Sequence, residues 1–348
     1  MLTDVFSYRY SDHPIWSKFT HIEQRLLVQL MGVAKDALPY YSSDGSINKH
    51  YEAVWKDLHD RVARELGLKE LSSRYYSYTN TAGFPVSGFF SWDYVCEQYL
   101  TSAFTGQQDA DSFIKERLNV IELAMRVRFD EIQKINADLP DRLSSIQISQ
   151  FKPRRLVIPG NPETSIVSIN KAMNERYSAL VDEINERLRR SKVPLTLHNG
   201  FIQLALDSKI ENEIAKPFWE LLAAPLWRNV DIDMKEALDR RDSNSKDPAI
   251  FAAKALESTI KIISDINGWS SGRESGASAF IDNLQSKKNG HFIDAWEATL
   301  LRAYFGQVRN PISHGPGMEQ MPELSLTQTD WAIENAMSWI RSLIRRIE

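Results

Sequence analysis

The stretch Asp247-Pro-Ala-Ile-Phe-Ala-Ala-Lys-Ala-Leu256-Glu-Ser-Thr-Ile260-Lys-Ile-Ile263-Ser-Asp-Ile-Asn267-Gly268 decides how the second half of this chain folds. Pro248 suits the first helical position, where its missing N–H costs nothing, and Asp247 before it is placed to cap. Ala249, Ala253, Leu256, Ile260 and Ile263 then fall on one helical face, and Asn267-Gly268 supplies a helix stop. Working toward the C-terminus, a second helix is expected from about Gly276 to Ser286, and a third carries Trp296, Leu300, Leu301, Tyr304, Phe305 and Val308. The last helix is expected to start at Thr327, with Asp330 at the capping-box position, and to bury Ile333, Met337, Ile340 and Ile344. Four helices with short links predict an up-and-down bundle.

Working toward the N-terminus, the run from Arg240 to Asp247 is polar and aperiodic, which places a domain boundary there. The chain therefore divides into a helical domain over 1–243 and a bundle over 244–348. Within the first, Ile47, Tyr51, Val54, Leu58 and Val62 recur at helical steps, and a shorter stripe runs from Leu26 to Ala34. Long helices are expected from about Asp109 to Asn136 and from Glu163 to Arg190, separated by the Pro-rich passage from Phe151 to Pro162. Tyr75 to Trp92, rich in Ser, Gly and aromatics, reads as irregular. Asn199-Gly200 between two apolar runs predicts a β-hairpin over 195–204, the one sheet element expected. Asp207-Ser208 is placed to cap a helix reaching about Trp227, and a shorter one covers Asp233 to Arg240. The fold class is mainly α, in two helical parts.

At 348 residues, with 43% apolar and 25% charged side chains, the composition is that of an ordinary globular protein. A net charge of −4 gives no global attraction to nucleic acid, so any RNA contact must be a local patch. Cys96 is the single cysteine, which excludes an internal disulfide and a thiolate-rich zinc site. The histidines show no metal-ligand spacing, and there is no Walker loop or dinucleotide fingerprint; neither metal nor cofactor is expected. The opening residues lack a basic segment before an apolar run, and nowhere does an uncharged apolar stretch reach about eighteen residues. The expected location is the cytoplasm, without membrane attachment.

The chemistry concentrates between the third and fourth C-terminal helices, in Arg309-Asn310-Pro311-Ile312-Ser313-His314-Gly315-Pro316-Gly317. Pro311 should stop the helix, so a guanidinium, a carboxamide, a hydroxyl and an imidazole crowd one helix end. Imidazole moves a proton near neutral pH, guanidinium donates to phosphate oxygens in pairs, and asparagine can orient a reacting group. Arg-Asn-x-x-x-His at that position resembles the signature of HEPN domains, over about residues 247 to 348. The resemblance implies a metal-independent endoribonuclease whose two protomers face one RNA cleft through their C-terminal domains. Arg309 would stabilise phosphorane charge, His314 would act as general base or acid, and Asn310 would position. Glu257, Ser313 and Arg302 are the supporting candidates. Separately, Phe6-Ser-Tyr-Arg9, Asp182-Glu-Ile-Asn185 and the Asn199-Gly200 hairpin resemble the N-terminal module of AbiJ-type abortive-infection proteins, which implies an antiviral, toxin-like effector with an inhibitory or sensor partner.

Each candidate has a plainer reading. Arg309 and Asn310-Pro311 also make an ordinary helix end. Glu257 pairs equally well with Lys261 at i,i+4, and Arg302 can be a solvated surface arginine. The basic runs Arg187–Lys192 and Arg341–Arg346 can be phosphate contacts or dipole-stabilising helix ends. Trp331 and Trp339, eight apart, give the last helix a second apolar face. The alternative to the enzyme is a HEPN module without catalysis that dimerises or binds RNA or a nucleotide.

Overall fold

The computed structural model describes residues 5–150, 162–205, 215–243, 245–309 and 324–347. Its elements in chain order are α1 (Phe6–Arg9), α2 (His21–Ala37), α3 (Lys49–Glu65), β1 (Tyr75–Thr79), β2 (Pro85–Phe89), α4 (Trp92–Thr101), α5 (Ala110–Gln150), α6 (Pro162–Arg190), β3 (Leu195–His198) and β4 (Phe201–Leu204). There follow α7 (Lys216–Leu222), a 3₁₀ turn (Pro225–Trp227), α8 (Arg228–Asp242), α9 (Pro248–Ile266), α10 (Ala277–Gln285), α11 (Ala295–Tyr304), a π-turn (Phe305–Arg309) and α12 (Leu326–Ile344). A second 3₁₀ turn, Lys287–Asn289, lies between α10 and α11. The protein is mainly helical, as its periodicity predicts, and forms two compact units, residues 3–205 and 206–348 with the first two residues.

In the first unit α2 is locked at its start by a reciprocal Thr20–Glu23 capping box, and Asn48 caps α3 through its side-chain oxygen. The α3 stripe is centred on Trp55, Leu58 and Val62, all buried. The expected end of α5 near Asn136 is not observed: the helix runs to Gln150 through Pro140. Asn136 turns inward instead, giving its amide to Asn174 at 3.0 Å and accepting from Asn170 at 2.8 Å. These carboxamides satisfy one another across the α5–α6 seam.

The unit closes around a buried carboxylate. Glu122 of α5 is fully buried amid Val120, Ile121, Leu123, Ala124 and Met125. Arg9 holds both its oxygens, at 2.9 and 2.8 Å, and Arg126 one turn on binds it as well. Arg9 also donates to the Ile202 carbonyl at 2.8 Å, while the Ile202 N–H donates to Glu122 at 2.9 Å. Burial pushes the Glu122 carboxyl up, but the two guanidiniums and the Ile202 N–H more than reverse this and hold it below 4.5. Asn185 of α6 pairs with both backbone groups of Leu197, accepting at 2.7 Å and donating at 2.9 Å. The α1 opening, the end of α6 and the β3–β4 hairpin therefore meet through polar contacts that leave little freedom of register.

The predicted hairpin is present, pairing Leu195 with Leu204 and His198 with Phe201, and both turn residues have positive φ (Asn199 +44°, Gly200 +79°). A β-carbon at Gly200 would lie 2.7 Å from the Arg126 α-carbon, so position 200 is glycine for contact as well as for φ. A second hairpin corrects the reading of Tyr75 to Trp92 as irregular. Tyr75 pairs with Phe89 and Thr79 with Pro85, around a turn in which the Asn80 side chain accepts from Ala82 and Phe84. Neither face of this ribbon is deeply buried, so its sequence shows no apolar alternation.

The second unit is organised on α9, whose Ala249, Ala253, Leu256, Ile260 and Ile263 are all buried as expected. Its small residues Ala252, Ala253 and Ala255 admit close neighbours. One neighbour is α8, whose Val230, Met234, Ala237 and Leu238 join the same core. The boundary expected at residue 243 is thereby corrected: α7 and α8 belong to the C-terminal unit, and the division falls between Ala205 and Leu206. The polar run after Arg240 is a tight inter-helix turn in which Ser245 N–H bonds the Arg240 carbonyl. Two caps also differ. Asp247 has φ +60° and makes no side-chain cap bond, and α12 is capped by Ser325 with Gln328 rather than by Thr327 with Asp330. On α11 the inner residues Leu301 and Tyr304 are buried, whereas Trp296 and Leu300 are 62% and 51% exposed. Trp339 packs on the core and Trp331 is exposed. The expectations for Phe151–Pro162 fall mostly outside the described residues, as do those for Asp207-Ser208.

Two outcomes follow from this packing. A fragment beginning at Leu206 should unfold in one cooperative transition, whereas one beginning at Asn244 strips α8 from α9. The shorter fragment should show weak near-ultraviolet circular dichroism and bind a hydrophobic dye. Second, Glu122→Gln removes the buried charge that two guanidiniums share and should destabilise the protein by roughly 3–5 kcal/mol in denaturant titration. Because the folded carboxyl titrates below its ordinary 4.5, its stabilisation is complete above that pH and is lost as pH falls through the folded value. The wild type should lose stability in that acid window more steeply than Glu122→Gln.

Candidate functional site

The helix carrying the candidate arginine starts with a reciprocal capping box, Asp294 with Glu297. It ends in a π-turn over Phe305–Arg309, where Phe305 and Val308 point into the core. A π-turn inserts one extra residue per hydrogen-bonded ring and resets the helical phase beyond it. Tyr304 anchors the turn by donating to the Ala332 carbonyl of α12 at 2.9 Å, and burial pushes its phenol well above the usual range. The other end of α11 is clamped by Arg346, which binds Glu297 and donates to the Phe292 carbonyl at 3.1 Å. One member of the C-terminal basic run is thus a structural tie. In the other run, Arg187 pairs with Glu183, and Arg189 and Arg190 share Glu186. The plainer reading fits that helix end.

Arg309 lies at the last position of the π-turn, with its Nη2 3.3 Å from Glu257 Oε2. The other Glu257 oxygen lies 2.8 Å from Lys261 Nζ. Glu257 is therefore the i,i+4 partner of Lys261 and lies beside Arg309 as well. Glu257 is nearly buried on α9, while the Arg309 side chain is about one-third exposed. The carboxylate is a fixed post, and the guanidinium it holds keeps a face toward solvent.

Arg302, two helical turns before Arg309, is bound to Asp282 at 2.5 Å and to Gln285 at 3.1 Å on α10. Both arginines line a pocket of about 360 Å³ between α10 and the π-turn, with Gly306 and the backbone around Gly276 completing its wall. The sequence gives no warning of this pocket beyond the glycine that opens α10. Asn310, Ser313 and His314 lie outside the described residues, so the structure positions Arg309, Glu257 and Arg302 of the candidate set and leaves those three unplaced. Among the described residues no group of three His, Cys, Asp or Glu side chains could hold a metal ion. Nor is any helix among them long and apolar enough to cross a membrane. Cys96 is buried in the first core, where desolvation pushes its thiol well up.

The architecture defines a two-unit, mainly helical protein whose N-terminal unit is tied together at Arg9, Glu122, Asn185 and the Asn199-Gly200 turn. The family model for AbiJ N-terminal domain 4 matches residues 4–220, and the chain belongs to that family, which associates it with abortive infection. The match passes the structural division at 205 and ends within α7, so Arg309 and the pocket lie beyond it. No curated protein and no solved structure matches the chain.

The geometry at Glu257 gives a stability expectation. Glu257→Gln keeps the volume and removes the charge, and its two cationic partners both reach solvent. The cost should therefore stay below about 1 kcal/mol in chemical denaturation. A loss of several kcal/mol would make the cluster a structural centre instead.

Proposed function

We propose that this protein is a metal-independent endoribonuclease of the HEPN type, working as the effector of an abortive-infection system in the cytoplasm. The observation that carries the reading is Arg309, held at the helix end by a nearly buried carboxylate and lining a pocket beside it. A guanidinium fixed in this way is pre-organised to donate to phosphate oxygens, so little reorganisation is needed as negative charge develops. In the proposed reaction His314 takes the proton from an RNA 2′-hydroxyl. That oxygen attacks the adjacent phosphorus, the bond to the 5′-oxygen breaks, and the departing oxygen receives a proton. The products are a 2′,3′-cyclic phosphate and a 5′-hydroxyl. Arg309 stabilises the phosphorane, with Asn310 and Ser313 positioning.

One protomer supplies one Arg309 and one His314, whereas the reaction needs a proton acceptor and a proton donor together. We infer a symmetric dimer through the C-terminal unit. Exposed Trp296 and Leu300 stand four residues apart on the element that carries Arg309, which supports a partner there. The N-terminal unit would then sense the trigger, restrain the nuclease or receive an inhibitory partner.

Purified full-length protein should cut RNA in the presence of EDTA. Arg309→Ala and His314→Ala should each lower the rate about a hundredfold or more while keeping the helical signal and thermal midpoint. Wild-type rates in His314→Ala would remove the assigned role, and loss of cleavage on adding EDTA would point to a metal instead.

A further inference from the structure

We propose that the open edge of β1 is an interface between two copies of this chain, which pair antiparallel about Ser77 and join their ribbons into one four-stranded sheet. The phase of the ribbon decides which backbone groups are free. Asn80 N–H donates to the Phe84 carbonyl at 2.9 Å, and Phe90 N–H donates to the Arg74 carbonyl at 2.8 Å. Antiparallel pairs alternate between bonded and non-bonded, so Tyr76 and Tyr78 bond across to β2 while Tyr75, Ser77 and Thr79 turn their N–H and C=O groups outward. The Tyr75 carbonyl agrees with this phase, accepting from the Ser73 hydroxyl at 3.0 Å. Among the described residues this sheet has two strands, and Tyr75, Ser77 and Thr79 are all exposed.

Proteins commonly blunt such an edge with proline, charge or a bulge. The β2 edge is blunted, because Pro85 has no N–H to offer at the first of its outward positions. The β1 edge is not. No charged residue occurs from Tyr75 to Trp92, and the guanidinium of neighbouring Arg74 is stacked on Trp92 and Phe89, 3.9 and 5.3 Å from their ring centres. Two copies can therefore meet here without opposing like charges. The edge itself names its occupant. Tyr76-Ser77-Tyr78 reads the same in both directions, so a two-fold axis at Ser77 sets Ser77 against the second copy's Ser77 and Tyr75 against its Thr79. All three positions carry outward donors and acceptors, which gives about six new backbone hydrogen bonds. On the other face Tyr76 comes opposite Tyr78 of the second copy. These two rings already stack within one chain, with centroids 6.2 Å and planes 27° apart, and Tyr78 is 57% exposed. Pairing extends the stack to four rings and covers it. The interface lies in the N-terminal unit, so it is separate from the C-terminal pairing proposed above and does not depend on the ribonuclease reading.

The test uses full-length protein carrying Ser77→Cys or, as a control on the other edge, Ser87→Cys. Each is treated with dibromobimane, which fluoresces once it joins two thiols. Cys96 is buried and stays out of the reaction. In the paired sheet the α-carbons at position 77 lie about 5.5 Å apart, whereas those at 87 lie three strand spacings, about 14 Å, apart. Ser77→Cys should therefore form linked dimers about tenfold faster than Ser87→Cys, within the short reach that joining two cysteines requires. Adding Thr79→Pro removes one outward N–H and leaves the ribbon's own bonds in place, and should slow linkage at 77 by about the same factor. Equal rates at 77 and 87, no linkage of Ser77→Cys at tens of micromolar, or indifference to Thr79→Pro overturns the proposal. Dimers seen by sedimentation while Ser77→Cys stays unlinked place the contact elsewhere and overturn it too. Circular dichroism checks that the Thr79→Pro variant folds, and if it does not, the contrast between the two cysteine variants decides alone.

Discussion

A carboxylate buried among apolar side chains is expensive unless its charge is answered within the fold, and Glu122 is the point from which the N-terminal unit is organised. Its two oxygens need donors, and the chain supplies them from α1 (Arg9), from its own helix (Arg126) and from the β3–β4 hairpin through the Ile202 N–H. Arg9 and Ile202 lie far from Glu122 in sequence, so the charge can be satisfied only when the whole unit is assembled. Hydrophobic burial of α2, α5 and α6 supplies the gross stabilisation. The Glu122 cluster restricts which arrangement of those helices is acceptable. The Gly200 turn belongs to the same constraint, because it passes so close to the Arg126 backbone that no side chain fits.

The C-terminal unit repeats the device at a different depth. Glu257 is again a carboxylate on the buried side of a helix, again with two cations on it. There the cations come to the surface, and Arg309 keeps a solvent-facing side beside a pocket. The same pairing that locks one unit leaves a guanidinium accessible to solvent in the other. Burial decides between the two: a guanidinium enclosed with its partner serves the fold, while one held by a fixed partner but open to water is available to a ligand.

Much of this was legible in the sequence, and the failures have identifiable causes. Periodic stripes gave the helices because their cores are one-sided, and Asn199-Gly200 gave the hairpin because its turn demands two positive φ values. The β1–β2 ribbon went unread because neither face is deeply buried, so no alternation is written into it. The polar run after Arg240 reads as a boundary, but the apolar face of Val230, Met234 and Leu238 before it belongs to the second core. Ser325-x-x-Gln328 and Thr327-x-x-Asp330 are overlapping capping frames, and local sequence did not choose between them. Glu122 does carry a signal in the sequence, an acid flanked on both sides by apolar residues that prove buried. Of the site, Arg309, Glu257 and Arg302 are legible as candidates in the sequence; the pocket is not, because it arises from α10 meeting the π-turn.

The central claim is that the Arg309 site breaks RNA by internal attack of the 2′-hydroxyl. Mass spectrometry of the fragment ends released from a defined RNA by the wild-type protein tests this most directly. The account predicts 2′,3′-cyclic phosphate termini on one fragment and 5′-hydroxyl termini on the other. Fragments ending in 3′-hydroxyl and 5′-phosphate would contradict it, since attack by water rather than by the neighbouring hydroxyl leaves those ends.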